Sequence, residues 1–241
     1  MVHFTSLLST ALLLASPLTS ACVTHMPVKR DNSTYPYADY GSDTPADIAT
    51  TGYAINHLCL NVRNITNSVE FYSSIFGMRK LFTFHASEHY SVTYMAHSHG
   101  GRNGTGYQTT EELIREKNNA KGMLELINID VPENALPAST LIANTFGHIG
   151  MVVPDIEATQ ARLDAFPGIS TLKRYGEDLS LYSRIATATS LSAKMLAQLP
   201  DAEKELIMAT LVPFNKPFII VTDPDGNMIE IQAQEGEALP Q

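Results

Sequence analysis

Phe146-Gly147-His148-Ile149-Gly150-Met151-Val152-Val153 has an earlier counterpart in Ile55-Asn56-His57-Leu58-Cys59-Leu60-Asn61-Val62. Each stretch reads as a strand with a histidine near its start. Each is followed by a helix-like segment closed by glycine: Ser68-Val69-Glu70-Phe71-Tyr72 before Gly77, and Ile156 to Phe166 before Gly168. Each half later reaches a strand with one apolar-flanked glutamate, Met123-Leu124-Glu125-Leu126 and Met228-Ile229-Glu230-Ile231. A duplicated unit with one histidine and one glutamate per copy points to a metal site at a pseudo-twofold junction. Its ligands are His57, Glu125, His148 and Glu230.

The order along the chain is β, α, then several β, twice over. In the first half Ala54 to Val62 reads as a strand and Ile65 to Ile75 as a helix capped by Asn64 or Thr66. Lys80 to Phe84 and Ser91 to Ala96 alternate as strands. A glycine- and histidine-rich loop spans His97 to Tyr107. A short helix, Thr110 to Lys117, precedes the closing strand Lys121 to Ile129. The second half repeats this with strand Gly147 to Val153, helix Asp155 to Phe166 and strand Thr171 to Tyr175. Then 177–211 reads as a helical insertion of two segments broken at Pro200-Asp201, either a packed surface hairpin or a lid. Phe218 to Thr222, the turn Asp223-Pro224-Asp225-Gly226 and Asn227 to Gln232 make a closing hairpin. The repeats thus run 53–131 and 146–234, with 235–241 as a tail.

Alternation puts i and i+2 on one strand face. Cys59 and Asn61 share the face of His57, and Met123 that of Glu125. A core-facing carboxylate is costly unless paired or metal-bound, so two such glutamates, each with a histidine, call for a divalent cation. Two nitrogens and two oxygens suit Zn²⁺, Ni²⁺, Co²⁺ or Fe²⁺. His85, His89, His97 and His99 read as solvated.

The chain has 241 residues, 16 Lys+Arg against 25 Asp+Glu, and a net charge of -9, which argues against nucleic acid as a partner. Phe4 to Leu18 is apolar, and Thr19-Ser20-Ala21 allows cleavage after Ala21, so 1–21 reads as a secretory signal peptide. The expected location is secreted, with no membrane association after processing. Residues 22–52 read as a largely disordered propeptide or linker with a dibasic site at Lys29-Arg30. Sequons at Asn32, Asn64 and Asn103 agree with a glycoprotein. The two cysteines, Cys22 and Cys59, do not make a disulfide framework.

Asn56-His57-Leu58-Cys59-Leu60-Asn61-Val62, Glu70-Phe71-Tyr72 with Gly77-Met78, Met123-Leu124-Glu125-Leu126, Phe146-Gly147-His148-Ile149-Gly150 and Asp223-Pro224-Asp225-Gly226-Asn227 leading to Ile229-Glu230-Ile231 carry a resemblance. It covers about Ala54 to Gln234. The chain resembles glyoxalase I (lactoylglutathione lyase) of the vicinal oxygen chelate superfamily. The resemblance implies an α+β fold of two tandem βαβββ modules in a curved mixed sheet around one divalent metal, zinc or nickel first. It implies the same four ligands, and isomerisation of the methylglyoxal–glutathione hemithioacetal to S-lactoylglutathione through a metal-stabilised enediolate. By position Glu230 is the proton-moving base and Glu125 its counterpart.

Long eukaryotic members have arginines at the positions of Asn61 and Asn144, and these hold glutathione carboxylates. Asparagine cannot make that charged fork, so weak activity on the glutathione adduct is expected. Asn61, Cys59, Met123 and Asn144 are the candidate substrate-binding residues. The expected partners are a small-molecule substrate, of glutathione-adduct type, and a second copy in a homodimer. Two alternatives stand beside this: a secreted enzyme of the same superfamily acting on another small metabolite, and a non-catalytic small-molecule binding module of the same fold.

Overall fold

The computed structural model describes residues 35–38, 40–180 and 183–235. The leader, Cys22, Lys29-Arg30, Asn32 and nearly all of the tail lie outside them. Both sheets belong to the unit that begins at Ala38.

The first module runs β1 (His57–Val62), α1 (Ile65–Ser74), β2 (Arg79–His85), β3 (Tyr90–Ala96), α2 (Thr110–Glu116) and β4 (Met123–Ile129). Its sheet order is β1-β4-β3-β2. β1 and β4 are parallel, which a hairpin cannot achieve; α1 begins the crossover between them. Asn64 starts that helix by accepting from the Asn67 N–H at 3.0 Å. Gly77, at φ 71, lets the chain turn away after it.

The second module repeats the plan with β5 (His148–Val153), α3 (Ile156–Ala165), β6 (Ser170–Lys173), β7 (Ile219–Thr222) and β8 (Met228–Ala233). Its order is β5-β8-β7-β6, again with the outer pair parallel. Asp155 caps α3 as Asn64 caps α1. The two modules make two four-stranded mixed sheets with helices, the α+β tandem of βαβββ modules expected.

One core joins them. Leu60, Val62, Leu124 and Leu126 from the first sheet and Ile219, Val221, Ile229 and Ile231 from the second pack with Tyr72 of α1 and Leu163 of α3. Alternation then places His57, Glu125, His148 and Glu230 on the faces turned away from that core. This corrects the idea of core-facing glutamates.

The Asp223-Pro224-Asp225-Gly226 turn closes the last hairpin as expected, and it also latches the modules. Asp225 Oδ1 accepts from the Arg63 backbone N–H at 3.0 Å and from Arg63 Nε at 2.9 Å. Asp225 Oδ2 accepts from Ser68 Oγ at 3.3 Å, and Asp223 Oδ2 from the Tyr72 hydroxyl at 3.1 Å. Gly226 has φ 93, and a Cβ there would lie 3.1 Å from Ala138 Cβ. Only glycine fits.

Burial holds the Asp223 carboxyl above its ordinary value, against the lowering effect of hydrogen bonds from Asn227 and Tyr72. The folded chain therefore keeps this proton at a pH where the unfolded chain has lost it. This group's contribution to stability falls as pH rises from the ordinary aspartate value of 3.8 through the raised folded value. Asp223→Asn removes that fall, so its stability relative to wild type should improve from acid toward neutral pH. Denaturant melts of both proteins across that range test it; a difference that stays constant, or drifts the other way, refutes it.

Among the described residues the insertion contains three helices, α4 (Arg184–Ala188), α5 (Ala193–Leu196) and α6 (Asp201–Asn215). The break at Pro200 falls where expected, but α6 continues past Leu211 to Asn215. Pro213 sits in its last turn, where its missing N–H costs a single helical hydrogen bond. Leu179, Ile185 and Ala188 pack on Ile220 and Met228, so the insertion lies on the Glu230 face of the second sheet. Lys173 anchors its far end. Its buried ammonium donates to the carbonyls of Arg174, Lys216 and Phe218, at 3.1, 3.2 and 2.7 Å. α2 occupies the matching place in the first module, with Leu113 and Ala120 packed on Met123.

Candidate metal centre

The His57–Glu125 pair is built by the β1–β4 pairing, in which Cys59 stands opposite Glu125. His57 Nε2 lies 3.4 Å from Glu125 Oε2. Its other ring nitrogen, Nδ1, lies 3.0 Å from Asn56 Oδ1. The Asn56 amide is fixed from elsewhere, since its Nδ2 donates to the carbonyls of Lys117 at 2.8 Å and Ala120 at 2.9 Å. Its Oδ1 therefore faces the imidazole, and Nδ1 must carry the hydrogen. In the neutral ring Nε2 is then the lone-pair nitrogen, facing a carboxylate oxygen. Two acceptors facing each other suit a divalent cation bound through both, so the donor set fits a metal.

Glu125 has a further partner that the sequence reading missed. The Tyr94 hydroxyl donates to its Oε1 at 2.9 Å. Tyr94 also sits edge-on to His57, with ring centroids 5.3 Å apart, and stacks on Phe82. Partial burial, then the interaction with Glu125, pushes its hydroxyl up to about 12. The Cys59 thiol faces the same carboxylate and is pushed up to about 11, chiefly by burial. Both stay protonated at neutral pH. A low-reactivity thiol fits a wall of the site better than a nucleophile.

In the second pair His148 Nε2 lies 3.9 Å from Glu230 Oε2. The side chains of His148 and Glu230 are 36% and 20% exposed, close to the 34% and 19% of His57 and Glu125. The surroundings differ. Gly147 stands where Asn56 stands, Gly150 where Cys59 stands, and Ile220 pairs with Glu230 where Tyr94 pairs with Glu125. Among the described residues no other side chain is bonded to His148 or Glu230.

The expected four ligands are thus brought together two by two. They do not meet within one chain, because each pair lies on the outward face of its own sheet. Among the described residues no group of three or more histidine, cysteine or acidic side chains is placed to hold a metal ion. A cavity of about 370 Å³ lies elsewhere, at the inter-module latch, lined by Arg63, Phe71, Arg184 and the Asp223–Gly226 turn.

Of the candidate substrate residues, Cys59 and Asn61 are exposed on the His57 face. Asn144 is exposed in the loop before β5, where its Oδ1 accepts from the Phe146 N–H at 2.7 Å. Met123 is the correction: it is only 1% exposed, covered by α2, and cannot touch a substrate. Alternation placed it on the right face, but α2 covers that end of the face. His97 is also engaged, with its Nε2 2.7 Å from the Phe76 carbonyl.

Two parallel-edged βαβββ sheets, each with one His–Glu pair on its outward face, define a duplicated module protein of one class. The model of the Glyoxalase/Bleomycin resistance protein/Dioxygenase superfamily matches residues 54–178, and the chain belongs to that superfamily. The match ends where the insertion begins.

No protein of curated function matches the chain significantly. Among solved structures, it is similar to the trypanothione-dependent glyoxalase I of Leishmania major. The identity is 18% over 76% of this chain and 88% of that one, with a TM-score of 0.43. Glyoxalase I from Zea mays is 15% identical over 73% of this chain and 43% of that one, with a TM-score of 0.42. An antibiotic-binding protein from a Streptomyces species is 14% identical over 75% of this chain and 95% of that one, with a TM-score of 0.37.

Proposed function

We propose that the chain is a metal-dependent lyase of the glyoxalase I type, with its active site assembled between two copies. The reaction is isomerisation of a 2-oxoaldehyde hemithioacetal, that of methylglyoxal with glutathione, to the thioester. The observation that carries this reading is the pair of half-sites. One chain offers a histidine and a glutamate twice, on two faces turned away from a shared core. Two copies related by a twofold axis, with the first module of each facing the second module of the other, complete two N₂O₂ sites. Exposed apolar side chains lie on the same faces as the pairs: Phe84, Tyr90 and Ile129 on the Glu125 face, and Val152 on the His148 face. An interface would cover surface of this kind.

A divalent cation held by the four ligands would supply Lewis-acid stabilisation of the negative charge that develops on the substrate's vicinal oxygens. The chain's own residues divide the rest. Glu125 is held by Tyr94 and keeps its orientation. Glu230 has no such partner among the described residues and is free to approach the substrate carbon. It takes the proton from the carbinol carbon and returns it to the neighbouring carbon, while the hydroxyl proton passes to the former ketone oxygen, so the net change is isomerisation. The insertion and α2 wall the two ends of the site. On the leader read in the sequence, the enzyme acts outside the cell.

Mixing two defective variants tests the assembly. His57→Ala and His148→Ala each damage both sites of their own homodimer. In a mixed dimer one site carries both substitutions and the other carries neither. Random re-pairing makes half the dimers mixed, so metal content and isomerase activity should return to about a quarter of wild type. If the mixture stays as poor as its components, the shared site is wrong.

A second reading keeps the chemistry and changes the metabolite. It is favoured by Asn61 and Asn144, neither of which can make a charged fork to a glutathione carboxylate. Product analysis with the glutathione adduct separates the two.

A further inference from the structure

The two half-sites are equivalent in the repeat but not in what surrounds them. In the first module a chain of contacts runs from the Lys117 and Ala120 carbonyls through the Asn56 amide to His57 Nδ1. A second runs from Tyr94 to Glu125. Both ligands are therefore oriented by side chains that are themselves held. In the second module the place of Asn56 is taken by Gly147, where even a Cβ would lie 3.0 Å from the Ala188 carbonyl of α4. The insertion closes the space that an orienting side chain would need, and Ile220 offers Glu230 no donor.

Resting on the metal-centre reading above, we propose that Asn56 and Tyr94 are positioning residues that preorganise His57 and Glu125. The first-module pair then dominates metal retention, and the second-module pair completes the site without setting its affinity. Ligands already aimed lose less freedom on binding, and outer partners that fix a ligand's orientation typically change metal affinity 10–100-fold. The duplicated site works with a division of labour: one half is stiff and holds the ion, and the other half is loose and attends to the substrate.

The test is the apparent Kd for Zn²⁺, measured by competition with a chromophoric chelator on the full purified chain. Tyr94→Phe keeps the ring contacts with Phe82 and His57 and removes only the hydroxyl. It should bind Zn²⁺ about 10–100-fold more weakly at an unchanged melting temperature. Glu125→Gln should lose at least about tenfold more affinity than Glu230→Gln. Wild-type affinity in Tyr94→Phe, or equal losses in the two glutamine variants, overturns the proposal.

A measurement on the unmodified chain guards against a misfolded variant. In metal-free protein, ¹⁵N NMR should find His57 with its hydrogen on Nδ1 and His148 without that fixed tautomer. A His57 hydrogen on Nε2 overturns the role of Asn56. A wild-type chain that binds no Zn²⁺ instead sinks the metal-centre reading itself, and that result is read from the wild-type titration alone.

Discussion

Glu230→Gln should lower turnover of the hemithioacetal by about 10²–10⁴-fold, the usual loss when a general base is removed. That corresponds to about 2.7–5.4 kcal/mol of barrier. Glutamine matches glutamate in shape and can stay near a metal, but it cannot accept the proton. The fold should be unaffected, because among the described residues the Glu230 side chain bonds to nothing that holds the sheet together, and its backbone pairing is kept. Glu125→Gln gives the contrast. Glu125 is tied to Tyr94 at 2.9 Å, so its loss should show in metal binding as well as rate. Steady-state kinetics on metal-loaded protein, with metal content measured in the same samples, separates the two effects. A near-wild-type rate for Glu230→Gln would assign the proton transfer to another group, with Glu125 the first to examine.

Asp225→Ala should be the most destabilising single change at the latch, by about 2–4 kcal/mol. The carboxylate is 7% exposed and ties Arg63 and Ser68 of the first module to the last hairpin of the second. Removing a buried partner costs more than the pair contributes, because the groups left behind lose their acceptor. Arg63 is 45% exposed and can turn to water, which keeps the figure below that of a fully buried pair. Urea melts of the two proteins provide the number. A loss under about 0.5 kcal/mol would mean that the shared apolar core alone holds the modules together.

The repeat itself was legible because its signals are local. A strand histidine, a capped helix and a glycine recur in order, and strand alternation states which residues share a face. His57, Glu125, His148 and Glu230 could be named from that alone. The Asp223–Gly226 turn was legible as a turn, since its glycine needs a positive φ. Its second role as the inter-module latch was not, because Arg63 and Tyr72 lie more than 150 positions away in the chain.

The chain's sequence determined the duplicated βαβββ order and the four ligand candidates, because periodicity and turn chemistry act between near neighbours. Tertiary structure decided everything that depends on what lies across a strand or behind a sheet. It placed α2 over Met123 and so removed that residue from the substrate. It set Tyr94 opposite Glu125 and Ile220 opposite Glu230, which gives the two glutamates different company. It also turned the His–Glu faces away from the shared core, because the opposite faces carry the larger apolar cluster and bury it with α1 and α3.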